Sequence, residues 1–229
     1  VTGTNGILVP PDGYLAGVRE LCTKYGILMI ADEVMAGFGR TGEWFAVNHW
    51  GVVPDMITMA KGLTSSYVPL GAVGMRRQIA DAFKDKVFYG GLTYNSHPVG
   101  CAAALAAIQV YEEDRLVERA RETGKVMRSL LEGLAAKHPS VGAVRSIGLF
   151  GIVELVRDRK TLEPMAPFNG TSEEMAALGR FFREQGLYTM VRWNSFYTNP
   201  PLTITEAQLR EAFGIIDRGL ELTDKAVRG

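Results

Sequence analysis

The stretch ILMIADEVMAGFGRTG, residues 27–42, decides how the rest of the chain is read. Five apolar residues in succession at 27–31 predict a strand buried on both faces. The run then meets two acids, Asp32 and Glu33, and a loop holding Gly37, Gly39, Arg40 and Gly42. Carboxylates at the end of such a strand carry two readings. In one, they cap the turn that follows. In the other, they face a ligand, because open parallel sheets bind ligands outside the carboxyl ends of their strands.

Working outward, Leu15, Val18, Leu21, Cys22 and Tyr25 recur at helical spacing, and Gly26 is placed to stop that helix. Downstream, DMITMA runs as a second strand directly into Lys61 and Gly62, and LGAVGM is a third strand candidate. Pro98 suits the first turn of an Ala-rich helix. From Arg115 the composition changes. A long amphipathic helix with Leu116, Ala120, Met127, Leu130, Leu131 and Leu134 is expected to end near His138-Pro139, and GLFGIVELV reads as a strand. Thr171 with Glu174, and Thr205 with Gln208, have the spacing of capping boxes. The second of these opens a helix whose inner face is Leu209, Phe213, Ile216 and Leu220. Alternating strands and helices in residues 1–114 predict an α/β unit with a mostly parallel sheet flanked by helices. Residues 115–229 read as a smaller α+β domain.

Among 229 residues, 47% are hydrophobic and 22% charged, a balance that supports a sizeable core. Lys plus Arg equals Asp plus Glu, so nothing in the charge favours nucleic acid or an anionic membrane. No apolar run approaches the ~20 residues that span a bilayer, and no basic-then-apolar leader opens the chain. Cys22 and Cys101 both fall in apolar helical patterns and are expected to be buried free thiols in a reducing cytoplasm. His49, His97 and His138 are scattered and suggest no metal.

An apolar strand ending in Asp-Glu also occurs in nucleotide hydrolases, but no G-x-x-x-x-G-K-[ST] loop is present. Nor does G-x-G-x-x-G follow a predicted strand. The alternative pairs Asp32 with Lys61, each at the carboxyl end of its own strand and 29 positions apart, enough for a crossover between neighbours in one sheet. A carboxylate and an amine facing one crevice suit pyridoxal phosphate. The lysine attaches to the cofactor aldehyde, and the carboxylate keeps the pyridine nitrogen protonated.

ADEVMAGFGRTG, PDMITMAKGL, PLGAVGM and TYNSHPVGCAAALAAI, in this order and spacing, are similar to the class III aminotransferases, pyridoxal-phosphate enzymes of fold type I. The resemblance runs from GILVPPDGYL through NPPLTITEAQLREAF. It implies that Asp32 partners the pyridine nitrogen of pyridoxal 5'-phosphate and that Lys61 is the Schiff-base lysine. It implies too that Val34 packs on the ring face, and that Thr93 binds the phosphate belonging to the neighbouring subunit of a homodimer. In YGGLTY, Gly90 stands where many relatives carry histidine.

Relatives acting on ornithine or gamma-aminobutyrate usually carry arginine three positions before the double proline, where this chain has Tyr197. Arg192 instead resembles the movable arginine with which omega-type enzymes accept a carboxylate. Trp193, Phe196 and Tyr197 read either as pocket wall or as core. The resemblance implies transfer of an amino group from an omega-amino acid or amine, such as taurine or beta-alanine, to pyruvate or another keto acid. An aminomutase of the same fold and a non-catalytic assembly chain are the alternatives. The chain opens abruptly on Val1; by the resemblance about half of the family's length is missing, including a Gly/Ser-rich phosphate loop. Alone, these residues are therefore expected to bind the cofactor poorly.

Overall fold

The computed structural model describes residues 1–228. Its tertiary contacts divide the chain into two units, Val1–Gly3 with Pro10–Glu118, and Thr4–Val9 with the residues from Arg119 onward. The division between Glu118 and Arg119 falls inside the helix Leu116–Lys137.

In the first unit, helix α1 (Tyr14–Tyr25) ends on Gly26 at φ 64°, whose amide donates to the carbonyls of Cys22 and Thr23. Strand β1 (Ile30–Asp32) pairs in parallel with β2 (Met56–Met59), which pairs antiparallel with β3 (Ala72–Met75). The α/β fold is as expected, with the short β3 reversing direction. Helix α2 (Arg77–Asp81) follows, then α3 (Pro98–Glu113) with proline in its first turn. The strand at 27–31 is not buried on both faces. Met29 and Ala31 are buried, while Ile27, Leu28 and Ile30 are more than half exposed. Strand β1 lies at the edge of its sheet, and burial follows the period of two.

Helix α4 (Leu116–Lys137) leads into β4 (Val141–Ile147), β5 (Phe150–Asp158), β6 (Glu163–Pro164), α5 (Glu173–Glu184), β7 (Val191–Arg192), β8 (Ser195–Thr198) and α6 (Glu206–Asp224). The second unit's sheet has the order β4-β5-β8-β7, wholly antiparallel, with β6 paired to β5. Its core is Met127 and Leu131 from α4, Phe150, Ile152, Val153 and Leu155 from β5, and Phe182, Phe196, Phe213 and Leu220. Phe182 meets Phe196 edge-on at 5.3 Å, and burial of each such ring stabilises by about 1.5–3 kcal/mol. Gly219 lets α6 approach closely, since a Cβ there would lie 2.7 Å from the Phe182 ring.

Thr205 and Gln208 form the expected capping box. At α5 the cap is Ser172, not Thr171: its hydroxyl accepts from the Met175 amide. Cys22 is half-buried and Cys101 exposed, both as free thiols. The buried state expected for them is thus not found, because the face of α3 that carries Cys101 has no covering element among the described residues. No helix among these residues is long and apolar enough to cross a membrane.

Candidate active site

Parallel pairing sets Asp32 of β1 opposite Thr58 of β2. The Glu33 amide continues the ladder, donating to the Thr58 carbonyl at 3.0 Å. The two acids then separate in role. Glu33 is 2% exposed, and its oxygens accept from the amides of Ala46 and Val47, each at 2.9 Å. It caps the 3₁₀ turn Ala46–Trp50. Burial pushes its carboxyl above the ordinary value, and the two amides pull in the opposite direction. Asp32 remains exposed; one oxygen accepts from the Val34 amide at 3.0 Å, an Asx turn that orients the carboxylate.

Lys61 follows β2 directly and opens the 3₁₀ turn Lys61–Leu63 at φ 44°. Positive φ costs a non-glycine residue roughly 1–3 kcal/mol, so the surroundings must hold it. They do so from beneath. The Tyr111 hydroxyl of α3 donates to the Gly62 carbonyl at 3.2 Å, and Phe38 packs where a Gly62 side chain would stand. Phe38 meets Phe45 at 5.5 Å and Tyr111 at 6.1 Å, with Trp44 5.8 Å from Tyr111. The Leu63 amide donates to the Ala60 carbonyl, closing the turn. Lys61 itself is exposed. Neither Asp32 nor Lys61 forms an ion pair among the described residues, with each other or with a third group.

Val34 is half-buried two positions past Asp32, and Thr93 is exposed in the turn before α3. Arg192 belongs to the second unit. It is half-buried at the end of β7, with its guanidinium carbon 4.0 Å from the Trp193 ring centroid. Phe196 is core, and Tyr197 is buried with its hydroxyl donating to the Thr4 carbonyl at 3.0 Å. Gly39 and Gly42 take positive φ in the loop. The three histidines are spent on structure: His49 bonds Thr41, His97 caps α3 and His138 lies between Asp217 and Asp224.

Glu33 takes the capping role that is one of its two sequence readings, whereas sequence reasoning does not single out Phe38 and Tyr111 as supports of the lysine turn. Of these, only the helical position of Tyr111 leaves a trace in the sequence. A concavity of about 740 Å³ is lined by Arg19, Asp55 and Arg76. It lies at the amino end of β2, where Arg19 and Arg76 both pair with Asp55. Arg19 bonds Asp55 at 2.6 Å, and this bond, followed by that from the Met29 amide, holds the Asp55 carboxyl below its ordinary value.

Asp32 and the Lys61 turn thus stand at the carboxyl ends of adjacent parallel strands, the edge where open sheets bind ligands, and neither side chain has an ion-pair partner among the described residues. Comparison with known proteins gives this arrangement a family. The model of the class-III aminotransferases matches residues 1–220, and the chain belongs to that family. It is 38% identical to a putrescine–pyruvate aminotransferase of Pseudomonas aeruginosa over 99% of this chain and 49% of that protein. A taurine–pyruvate aminotransferase of Bilophila wadsworthia is 37% identical over 98% of this chain and 51% of its own length. Among solved structures, a taurine:2-oxoglutarate aminotransferase from Bifidobacterium kashiwanohense, in complex with PLP and glutamate, superposes with TM-score 0.94. It shares 43% identity and covers 98% of this chain and 50% of its own. An (S)-enantioselective omega-transaminase from Thermomicrobium roseum gives 0.89 at 39% identity, over 96% and 49% of the two chains. This chain thus spans about half the length of the relatives it matches.

Proposed function

We propose that this chain is the part of a pyridoxal-phosphate aminotransferase that anchors the cofactor ring and supplies the lysine. The reaction moves an amino group from an omega-amino acid or amine to pyruvate or another keto acid. Residues 1–114 serve as part of the cofactor domain and 115–229 as the small domain of a cytoplasmic homodimer. The observation that carries the reading is the placing of Asp32 and Lys61 on one edge of adjacent parallel strands, each without an ion-pair partner among the described residues. Their chemistry fits the group: an anion for a pyridinium nitrogen and an amine for an aldehyde.

Pyridoxal phosphate, when bound, supplies a carbonyl that takes up the amine and a ring that withdraws electrons from the substrate carbon. Asp32, oriented by the Val34 amide, holds the proton on the ring nitrogen. Lys61 would hold the cofactor through its amine, which the substrate amine would displace and leave free within the site. Its freed amine then carries a proton to and from the carbon that bears the nitrogen, positioned transfer worth roughly 10²–10⁴ in rate. Val34 packs against the ring, and Thr93 offers its hydroxyl to the phosphate of the partner subunit's cofactor. Arg192 takes the carboxylate of the amino or keto acid, with no internal carboxylate to displace among the described residues.

The test uses the holoenzyme containing this chain, given taurine, beta-alanine or putrescine with pyruvate, and measures alanine formed. Lys61→Ala is expected to abolish both alanine formation and the visible absorbance of bound cofactor; Asp32→Asn is expected to lower turnover while leaving the absorbance present. Alanine formation at the parent rate by Lys61→Ala overturns the proposal.

A further inference from the structure

The hairpin joining β7 to β8 turns through Trp193 and Asn194, between the paired positions Arg192 and Ser195. Trp193 has φ 54°, and Asn194 is not among the residues of positive φ. Positive φ at the first of two central residues is the type II′ arrangement, whose usual occupant there is glycine. A bulky side chain in that conformation is a strained exception, and such strain collects at functional positions. Asparagine and glycine are the ordinary choices for such a turn, so a tryptophan there points to a use for its side chain. Two contacts show what holds the indole and what it holds. The Phe168 ring lies 4.4 Å away by centroids, and the Arg192 guanidinium carbon lies 4.0 Å from the indole centroid. Arg192 has no carboxylate partner among the described residues.

We infer that Trp193 is a positioning residue for substrate carboxylates: its indole face carries the Arg192 guanidinium and leaves the N–H edges open. The inference rests on the reading of Arg192 as the carboxylate-binding arginine. Stacking uses the flat face of the guanidinium, whereas a carboxylate is gripped by two N–H groups in its plane. One arginine can therefore hold both contacts at once. The platform favours one conformation of a side chain that stays movable, so a carboxylate more often meets a fork already oriented. A substrate amine without a carboxylate gains nothing from it.

The experiment compares Trp193→Gly, Trp193→Phe, Arg192→Ala and the Arg192→Ala/Trp193→Gly pair in the holoenzyme, reading thermal midpoint and the KM and kcat for pyruvate. Glycine suits the turn, so Trp193→Gly is expected to keep or raise the thermal midpoint. It is expected to raise the KM for pyruvate about 3- to 30-fold, the range of a partly desolvated cation–π contact, and more than it lowers kcat. Trp193→Phe restores most of the loss, and Trp193→Gly adds no further rise once Arg192 is alanine. If Arg192→Ala raises the KM and Trp193→Gly does not, the platform is refuted while the arginine reading stands. An unchanged KM in Arg192→Ala removes that reading and the platform with it. A lowered midpoint with equal KM effects in both arginine backgrounds makes Trp193 structural and overturns the inference.

Discussion

At Gly62 the turn that presents Lys61 has no room for a methyl group. A Cβ there would stand 2.6 Å from the Phe38 Cβ, and Phe38 is itself pinned by Phe45 and Tyr111. Gly62→Ala must move either the ring or the turn, and overpacking of this kind costs about 1–3 kcal/mol. The expected outcome is a lowered thermal midpoint and weaker cofactor uptake, read by calorimetry and by titration with pyridoxal phosphate. Unchanged uptake would show that the lysine does not depend on this support. The same neighbourhood shows what one sequence can tell at this scale. The adjacent pair Asp32-Glu33 admits both a capping reading and a ligand reading, and each turns out to apply to one acid. Nothing in the residue types says which is which. The strand's alternation decides it, turning Glu33 towards buried amides and leaving Asp32 exposed.

Between elements, Arg157 of β5 reaches Glu174 in the first turn of α5 with both N–H groups, at 2.9 and 2.7 Å. These bonds hold the Glu174 carboxyl down at about 2, against an ordinary 4.5. A lowered folded value means that the stabilisation is complete above 4.5 and is lost as pH falls towards 2. The side chains are 21% and 26% exposed, so solvent screening trims the effect of Glu174→Gln at neutral pH to about 1–2 kcal/mol. Thermal unfolding at neutral pH and near pH 2 is expected to show the gap between parent and variant closing in acid. A gap that stays constant would mean the pair does not hold α5 to the sheet. Elements with strong periodicity, such as α4 and α6, are legible in the sequence because one face must be apolar. The cap of α5 is not: Thr171 and Ser172 are adjacent hydroxyls, and backbone direction selects the second. Strand β4 escapes notice because VGAVRSI has neither clear alternation nor a bounding turn signal, and its pairing with β5 forms it.

For the whole molecule, the first unit leaves apolar surface that a lone soluble chain rarely shows. Tyr89, Leu92 and Tyr94 are 93%, 79% and 83% exposed, in the segment that also carries Thr93. Under the proposed function this segment belongs to a subunit interface, with Thr93 serving the partner subunit's cofactor. Loss of the interface should then weaken cofactor binding as well as assembly. Tyr89→Asp combined with Tyr94→Asp tests the linkage. Both side chains are almost fully exposed, so the fold has little to lose from the change. Two charges in an apolar interface, by contrast, are strongly opposed. In the holoenzyme, the expected result is a fall in mass by light scattering to that of a monomer, together with a weaker pyridoxal phosphate titration and an unchanged circular dichroism spectrum. A monomer that binds the cofactor as tightly as its parent would separate Thr93 from the phosphate, and a dimer that survives both charges would move the interface elsewhere on the molecule.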